Sequence, residues 1–203
     1  MHHSLLDKYM KGYQTFREKY VSGNTSLMSA LSANGQRPTT MVIGCSDSRV
    51  DPSVILQCDP GELFVIRNVA NIIPPFESNG GYHGTSAALE FGINYLNIKE
   101  MIILGHSQCG GIHALVSKQL NDQSDFIEKW VSIVNGDIDK ENWSVDDYAK
   151  QALICSYQNC LTFPWISDRL KKNLLTIHQW YFDIHHGELF IYDEEKKLFR
   201  TFE

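Results

Sequence analysis

Two runs of apolar residues, Met41-Val42-Ile43-Gly44 and Met101-Ile102-Ile103-Leu104-Gly105, break off abruptly into segments of reactive side chains. Neither run alternates with polar residues, so each reads as a strand buried on both faces, the habit of a parallel sheet covered by helices. A third strand is expected over Glu62–Arg67, and Leu174–Phe182, Glu188–Tyr192 and Lys197–Phe202 follow, the last two joined by the turn Asp193-Glu194-Glu195-Lys196. Helical spacing fills the intervals. Leu5, Leu6, Tyr9, Met10, Tyr13 and Phe16 form one stripe behind Ser4-x-x-Asp7, which reads as a capping box. Further helices are expected over Ser26–Asn34, from Asp51-Pro52-Ser53, from a Thr85 cap to Asn97 with Leu89, Ile93 and Leu96 inward, and over Ile112–Leu120. Ser144–Asn159 is expected to be helical with Val145, Tyr148, Ala152 and Cys155 or Ile154 inward, and Ser167 to cap a short helix to Lys172. Residues 121–143 are polar and mixed, with helical fragments, and Asn68–Gly84, with Pro74-Pro75, reads as a long loop of the kind that is functional or mobile.

Strand alternating with helix predicts an α/β fold: a central, mainly parallel β-sheet flanked by helices, an N-terminal helical arm and C-terminal strands. The 203 residues suit one domain, with an arm over 1–35 and an α/β core over 36–203. A net charge of −6, with Lys171-Lys172 and Lys196-Lys197 as isolated basic pairs, gives no electrostatic footprint for nucleic acid. No apolar stretch approaches a membrane span. Met1-His2-His3-Ser4 opens without a signal-like apolar core, and the five cysteines are an odd number. A reducing, cytoplasmic setting is therefore expected, with Cys58, Cys155 and Cys160 as small buried hydrophobes.

In an open α/β sheet, ligands bind beyond the carboxyl ends of the strands. The first apolar run ends in Cys45-Ser46-Asp47-Ser48-Arg49 and the second in His106-Ser107-Gln108-Cys109-Gly110-Gly111. Two such ends can bring Cys45, His106 and Cys109 together as three protein ligands with a fourth position open, the arrangement of a catalytic zinc. Gly110-Gly111 allow close backbone approach. Other readings are ordinary polar residues at strand ends, or a non-catalytic zinc- or redox-binding module, although Cys-x-x-Cys is absent. Arg49 can hold Asp47 ionised, so that it only accepts hydrogen bonds and can aim a zinc-bound hydroxide at an electrophile. The same carboxylate could instead swing onto the metal, or the pair could be a plain surface salt bridge. Two thiolates neutralise Zn²⁺, whereas three neutral histidines leave both charges and a water of pKa about 7. Activity at the thiolate site is therefore expected to rise through and above neutral pH.

These motifs, with Pro60-Gly61-Glu62-Leu63-Phe64-Val65-Ile66-Arg67-Asn68-Val69-Ala70-Asn71 and Gly84-Thr85-Ser86-Ala87-Ala88-Leu89-Glu90-Phe91, resemble those of the β-class carbonic anhydrases. The match covers most of residues 36–111, and the C-terminal third fits loosely. The resemblance implies reversible hydration of carbon dioxide to bicarbonate and a proton, zinc on Cys45, His106 and Cys109, and Asp47 with Arg49 as the catalytic dyad. It implies dimers, or dimers of dimers, with the active cleft at the subunit boundary. Gln36, Phe64, Val69, Phe91 and the backbone of Gly110 would line the substrate pocket. Hydrolysis of carbonyl sulfide or carbon disulfide on the same scaffold is the nearest alternative. Many relatives carry Tyr at the Phe91 position. Some bacterial relatives carry Trp at the Val42 position, as part of a bicarbonate pocket that favours a closed site; Val42 here implies an open one. His83, in the Gly-rich loop, could pass a proton to solvent, while His113, His178, His185 and His186 could be structural.

Overall fold

The two apolar runs become the central strands of a six-stranded sheet, in a computed structural model that describes residues 5–23, 26–78, 81–117, 124–134 and 142–202. In chain order the elements are α1 (Leu5–Tyr20), α2 (Leu27–Asn34), β1 (Thr40–Cys45), α3 (Pro52–Ile55), β2 (Leu63–Asn68) and α4 (Gly84–Glu90). Then come β3 (Glu100–His106), α5 (Gly110–Ser117), α6 (Ile127–Val131), α7 (Val145–Leu161), α8 (Pro164–Lys171), β4 (Thr176–Asp183), β5 (Glu188–Asp193) and β6 (Leu198–Thr201). Strand order is β2-β1-β3-β4-β5-β6. The first four strands run parallel, and β5 and β6 return antiparallel. The chain leaves β1 towards β2 on one side and β3 towards β4 on the other. This reversal opens a crevice between the carboxyl ends of β1 and β3, where ligands of such sheets bind.

Both faces of the central strands are covered. Met41, Ile43, Met101 and Ile103 point into the larger core with Leu153, Phe163 and Ile166. Val42, Ile102 and Leu104 point the other way, under Ile55, Leu56, Trp180 and Leu189. Each large apolar side chain fully buried here contributes about 1.5–3 kcal/mol, which ties the crevice to the most stable part of the molecule.

Several expectations need correction. The cap position of α4 belongs to His83, and Thr85 lies inside the helix, where its hydroxyl receives Asn68 Nδ2 at 3.2 Å. The helix also ends at Glu90 and continues as one π turn, Phe91–Tyr95, instead of running evenly to Asn97. Gly92 lies in that turn, where a Cβ would meet Met41 Cε, so the widened helix lets the backbone press onto β1. On α7 the buried residues are Ala149, Ala152, Leu153, Ser156 and Cys160. Of the expected inward set Ala152 is fully buried, and Val145, Tyr148 and Cys155 are partly buried against the same core. Small side chains let α7 lie close to the sheet, and Ser156 is inward because its hydroxyl serves the turn after β2, accepting from Ile73 N at 3.2 Å. Ser167 lies within α8, whose start is set by Pro164 after Phe163. Ser4, His2-His3 and residues 118–120 fall outside the described residues.

The arm forms as expected. Leu6, Tyr9, Met10 and Tyr13 on α1 are 55–69% exposed. The far end of α1 is tied down by Asp59, which accepts from Tyr20 Oη at 2.5 Å and Lys19 Nζ at 3.2 Å. Among the described residues no helix is long and apolar enough to cross a membrane.

Candidate metal centre

Cys45 is the last residue of β1, His106 the last of β3, and Cys109 stands just before α5. One ligand atom from each of the three lies within 4.8 Å of the others, and all three residues are buried. The two sulfurs are 4.0 Å apart. Around a tetrahedral ion with bonds of about 2.3 Å, sulfurs stand roughly 3.8 Å apart, so the spacing fits without rearrangement of the strands.

The donors are prepared for a cation. His106 Nδ1 lies 2.9 Å from the Ser107 carbonyl. A carbonyl only accepts, so Nδ1 carries the proton and Nε2 keeps its lone pair. That Nε2 is buried without a hydrogen-bond partner, and an orphaned acceptor facing two sulfurs is what a metal satisfies. Cys45 is held below the ordinary thiol range, first by the hydrogen bond from Cys109 and further by the amides of Asp47 and Ala70. Cys109 is pushed up because it keeps the shared proton beside the Cys45 sulfur in a buried place, while the amides of Gly111 and Ile112 at the start of α5 act to lower it. A divalent cation would displace the shared proton and favour both thiolates.

The crevice is closed by unusual backbone. Ala70 (φ 62°), Asn71 (φ 47°) and Gln108 (φ 54°) are non-glycine residues in the left-handed region, and strain of this kind clusters at functional sites. Gly111 is required by contact: a Cβ there would stand 2.6 Å from Val69 Cγ1.

Asp47 accepts from Arg49 three times: Oδ1 from the backbone N at 2.9 Å and Nε at 3.0 Å, Oδ2 from Nη2 at 2.7 Å. The guanidinium holds the Asp47 carboxyl far below the usual carboxylate range. Arg49 Nη2 also reaches the Gln108 carbonyl at 3.2 Å. Arg67 pins the same loop from below, donating to Cys45 O at 2.9 Å, Asp47 O at 2.7 Å and Asp51 Oδ2 at 2.6 Å.

The other expected site residues divide into two groups. Val69 packs against Gly111 next to Cys109, and its carbonyl accepts from Trp130 Nε1 at 2.7 Å. Gly110 opens α5. Phe64, by contrast, pairs with Met41, four positions back along β1 from Cys45, roughly 13 Å away at 3.3 Å per residue. Phe91 lies at the same end, its ring tilted against that of Phe64 with centroids 6.0 Å apart, and is 43% exposed. Gln36 is exposed on the approach to β1. One copy of the chain therefore does not bring Gln36, Phe64 or Phe91 to its own metal group. Sequence reasoning missed Ser107 and Asp146. The Ser107 hydroxyl accepts from Ile184 N at 2.9 Å, and Asp146 accepts from Gln108 N at 3.0 Å across 38 residues. Ser107 was visible inside the second motif, but Asp146 carried no signal beyond that of an acid in a first helical turn.

Comparison with known proteins agrees with this geometry and extends past residue 111. The family model described as carbonic anhydrase matches residues 40–189. A carbonic anhydrase from Synechocystis is 34% identical over 198 residues, spanning 93% of this chain and 71% of its own. The solved β-carbonic anhydrase CcaA is 33% identical, with a TM-score of 0.87 over 98% of this chain and 100% of that one. A tetrameric β-carbonic anhydrase from Sordaria macrospora is 26% identical, with a TM-score of 0.71 over 91% of this chain and 92% of that one. Fold, ligand cluster and sequence converge: this chain belongs to the β-class carbonic anhydrases.

Proposed function

We propose that the chain hydrates carbon dioxide reversibly to bicarbonate and a proton, with zinc held by Cys45, His106 and Cys109 and with Asp47 and Arg49 as the orienting dyad. The observation that carries this is the buried Cys-His-Cys cluster with an unpartnered imidazole nitrogen. Zinc suits two thiolates and an imidazole, and when bound there it supplies a Lewis acid that makes water more acidic. The chain's own residues do the rest. Ionised Asp47 can only accept, so it takes the hydrogen of the attacking oxygen and leaves a lone pair facing the carbon of carbon dioxide. Arg49 keeps Asp47 ionised and occupied, which favours an open site over one closed by the carboxylate. Val69 supplies an apolar wall for an uncharged gas. The released proton passes to solvent or buffer.

The proposed assembly is a homodimer or homotetramer, in which Gln36, Phe64 and Phe91 serve the crevice of a neighbouring copy. Their distance from their own metal group and the exposure of Phe91 support this. The proposed partner is a small molecule, with neither nucleic acid nor membrane, and the proposed location is the cytoplasm.

The test is stopped-flow carbon dioxide hydration against pH, with zinc measured on the same sample and sulfide release from carbonyl sulfide and carbon disulfide assayed alongside. Turnover should rise through and above pH 7 in proportion to zinc. Zinc-replete protein that is inert towards carbon dioxide, or that prefers a sulfur analogue, would overturn the reading.

A further inference from the structure

Arg49 is the weak point of the proposed dyad. Its side chain is 45% exposed, against 17% for Asp47, so packing alone does not fix the guanidinium. Apart from Asp47, the contact that anchors it is the carbonyl of Gln108, at 3.2 Å from Nη2. Gln108 itself sits at φ 54°, a conformation that a side chain disfavours. Its amide donates to Asp146 Oδ1 at 3.0 Å. Asp146 stands in the first turn of α7, beside a capping box formed by Ser144 and Asp147, and α7 packs across β3 through Leu153, whose side chain is 3.0 Å from where a Cβ on Gly105 would stand.

We propose that Asp146 is a positioning residue: it holds the Gln108 turn so that the Gln108 carbonyl clamps Arg49 against Asp47. The path is continuous from α7 through one carboxylate, the two peptides that flank the strained Gln108 Cα, and one guanidinium. A charged acceptor makes a stronger hydrogen bond to an amide than water does, which lets the turn persist against its own backbone preference. Freed from Asp146, Gln108 relaxes, its carbonyl turns away, and Arg49 spends more time in solvent.

The proposal rests on the catalytic reading of Asp47 only for its effect on turnover. Its primary readout is independent: solvent exchange of the Arg49 Nε proton, measured by NMR on the zinc-loaded protein, reports the Arg49–Asp47 bond directly. The link would then stand even if Asp47→Asn kept full turnover. Asp146→Ala should accelerate that exchange about tenfold and lower kcat about tenfold with KM and zinc content little changed, the scale of one charge-assisted hydrogen bond. Asp146→Asn keeps an acceptor oxygen and should recover most of both effects. Asp147→Ala removes the capping box and lowers the melting temperature but should leave Arg49 exchange at the parent rate. If Asp146→Ala does not fold, Asp146→Ser, too short to reach the amide, takes its place with the same expectation. Unchanged Arg49 exchange in Asp146→Ala would overturn the proposal. So would equal acceleration in Asp147→Ala, or failure of both Ala and Ser variants to fold while Asn folds, because each makes Asp146 a purely structural residue of the helix.

Discussion

Asp47 and Arg49 are two residues apart, yet their contact is a fork: two side-chain nitrogens on two carboxylate oxygens. That geometry separates arginine from lysine, which offers one point charge and no planar match. Arg49→Lys should therefore keep zinc but lower kcat, and Asp47→Asn, which can turn a donor towards the attacking oxygen, should lower it by about 10²-fold or more. Steady-state hydration kinetics at matched zinc content check both, and full turnover in Asp47→Asn would remove the carboxylate from the mechanism. The two motifs were legible at this scale because local chemistry writes itself locally. Cys45, Asp47 and Arg49 lie within one turn, and His106 and Cys109 within another. Asp146 was not legible because its role depends on a helix 38 residues away that only tertiary packing brings to Gln108.

Among the elements, the turn between β4 and β5 supports the metal loop from the side. Asp183 Oδ2 pairs with His186 Nδ1 at 2.8 Å, and its Oδ1 accepts from His185 N at 2.8 Å. The same turn offers Ile184 N to the Ser107 hydroxyl. The His186 side-chain hydrogen bond, with the amides of His185 and His186, lowers the Asp183 pKa from 3.8 to about 2, and the same side-chain contact raises His186. A carboxylate easier to ionise when folded stabilises the fold above its unfolded pKa and loses that contribution as pH falls through the folded value. Asp183→Asn should therefore melt below the parent at pH 5–6, with the gap narrowing as pH falls towards about 2. A gap that stays constant or widens on acidification would contradict the linkage. The strands were readable because continuous apolar runs have few other uses, whereas the inner face of α7 was read only in part: Val145, Tyr148, Ala152 and Cys155 do meet the core, but Ala149, Leu153, Ser156 and Cys160 were not picked out. Apart from Leu153, its fully buried residues are Ala, Ser and Cys, chosen for closeness, and a periodicity of large apolar side chains does not detect them.

On the scale of the molecule, α1 projects Leu6, Tyr9, Met10 and Tyr13 into solvent while Asp59 fixes its far end. At the end of the sheet away from the cluster, Phe91 and Tyr95 stack with ring centroids 5.6 Å apart, both exposed. Exposed groups of large apolar side chains suit an interface, and a second copy of the chain is the proposed occupant. Met10→Glu with Tyr13→Glu should shift sedimentation towards smaller species without changing the far-ultraviolet circular dichroism. An unchanged assembly would assign α1 another role.

Cys45, His106 and Cys109, from two strand ends, are proposed to share one ion. Zinc K-edge absorption spectroscopy on the loaded protein near neutral pH tests this most directly, with Cys58→Ser and Cys109→Ser as paired variants. Two sulfurs at about 2.3 Å with two nitrogen or oxygen neighbours at about 2.0–2.1 Å are expected, unchanged in Cys58→Ser and reduced or lost in Cys109→Ser. A shell with three or four sulfurs, or one that Cys109→Ser leaves intact, would contradict it.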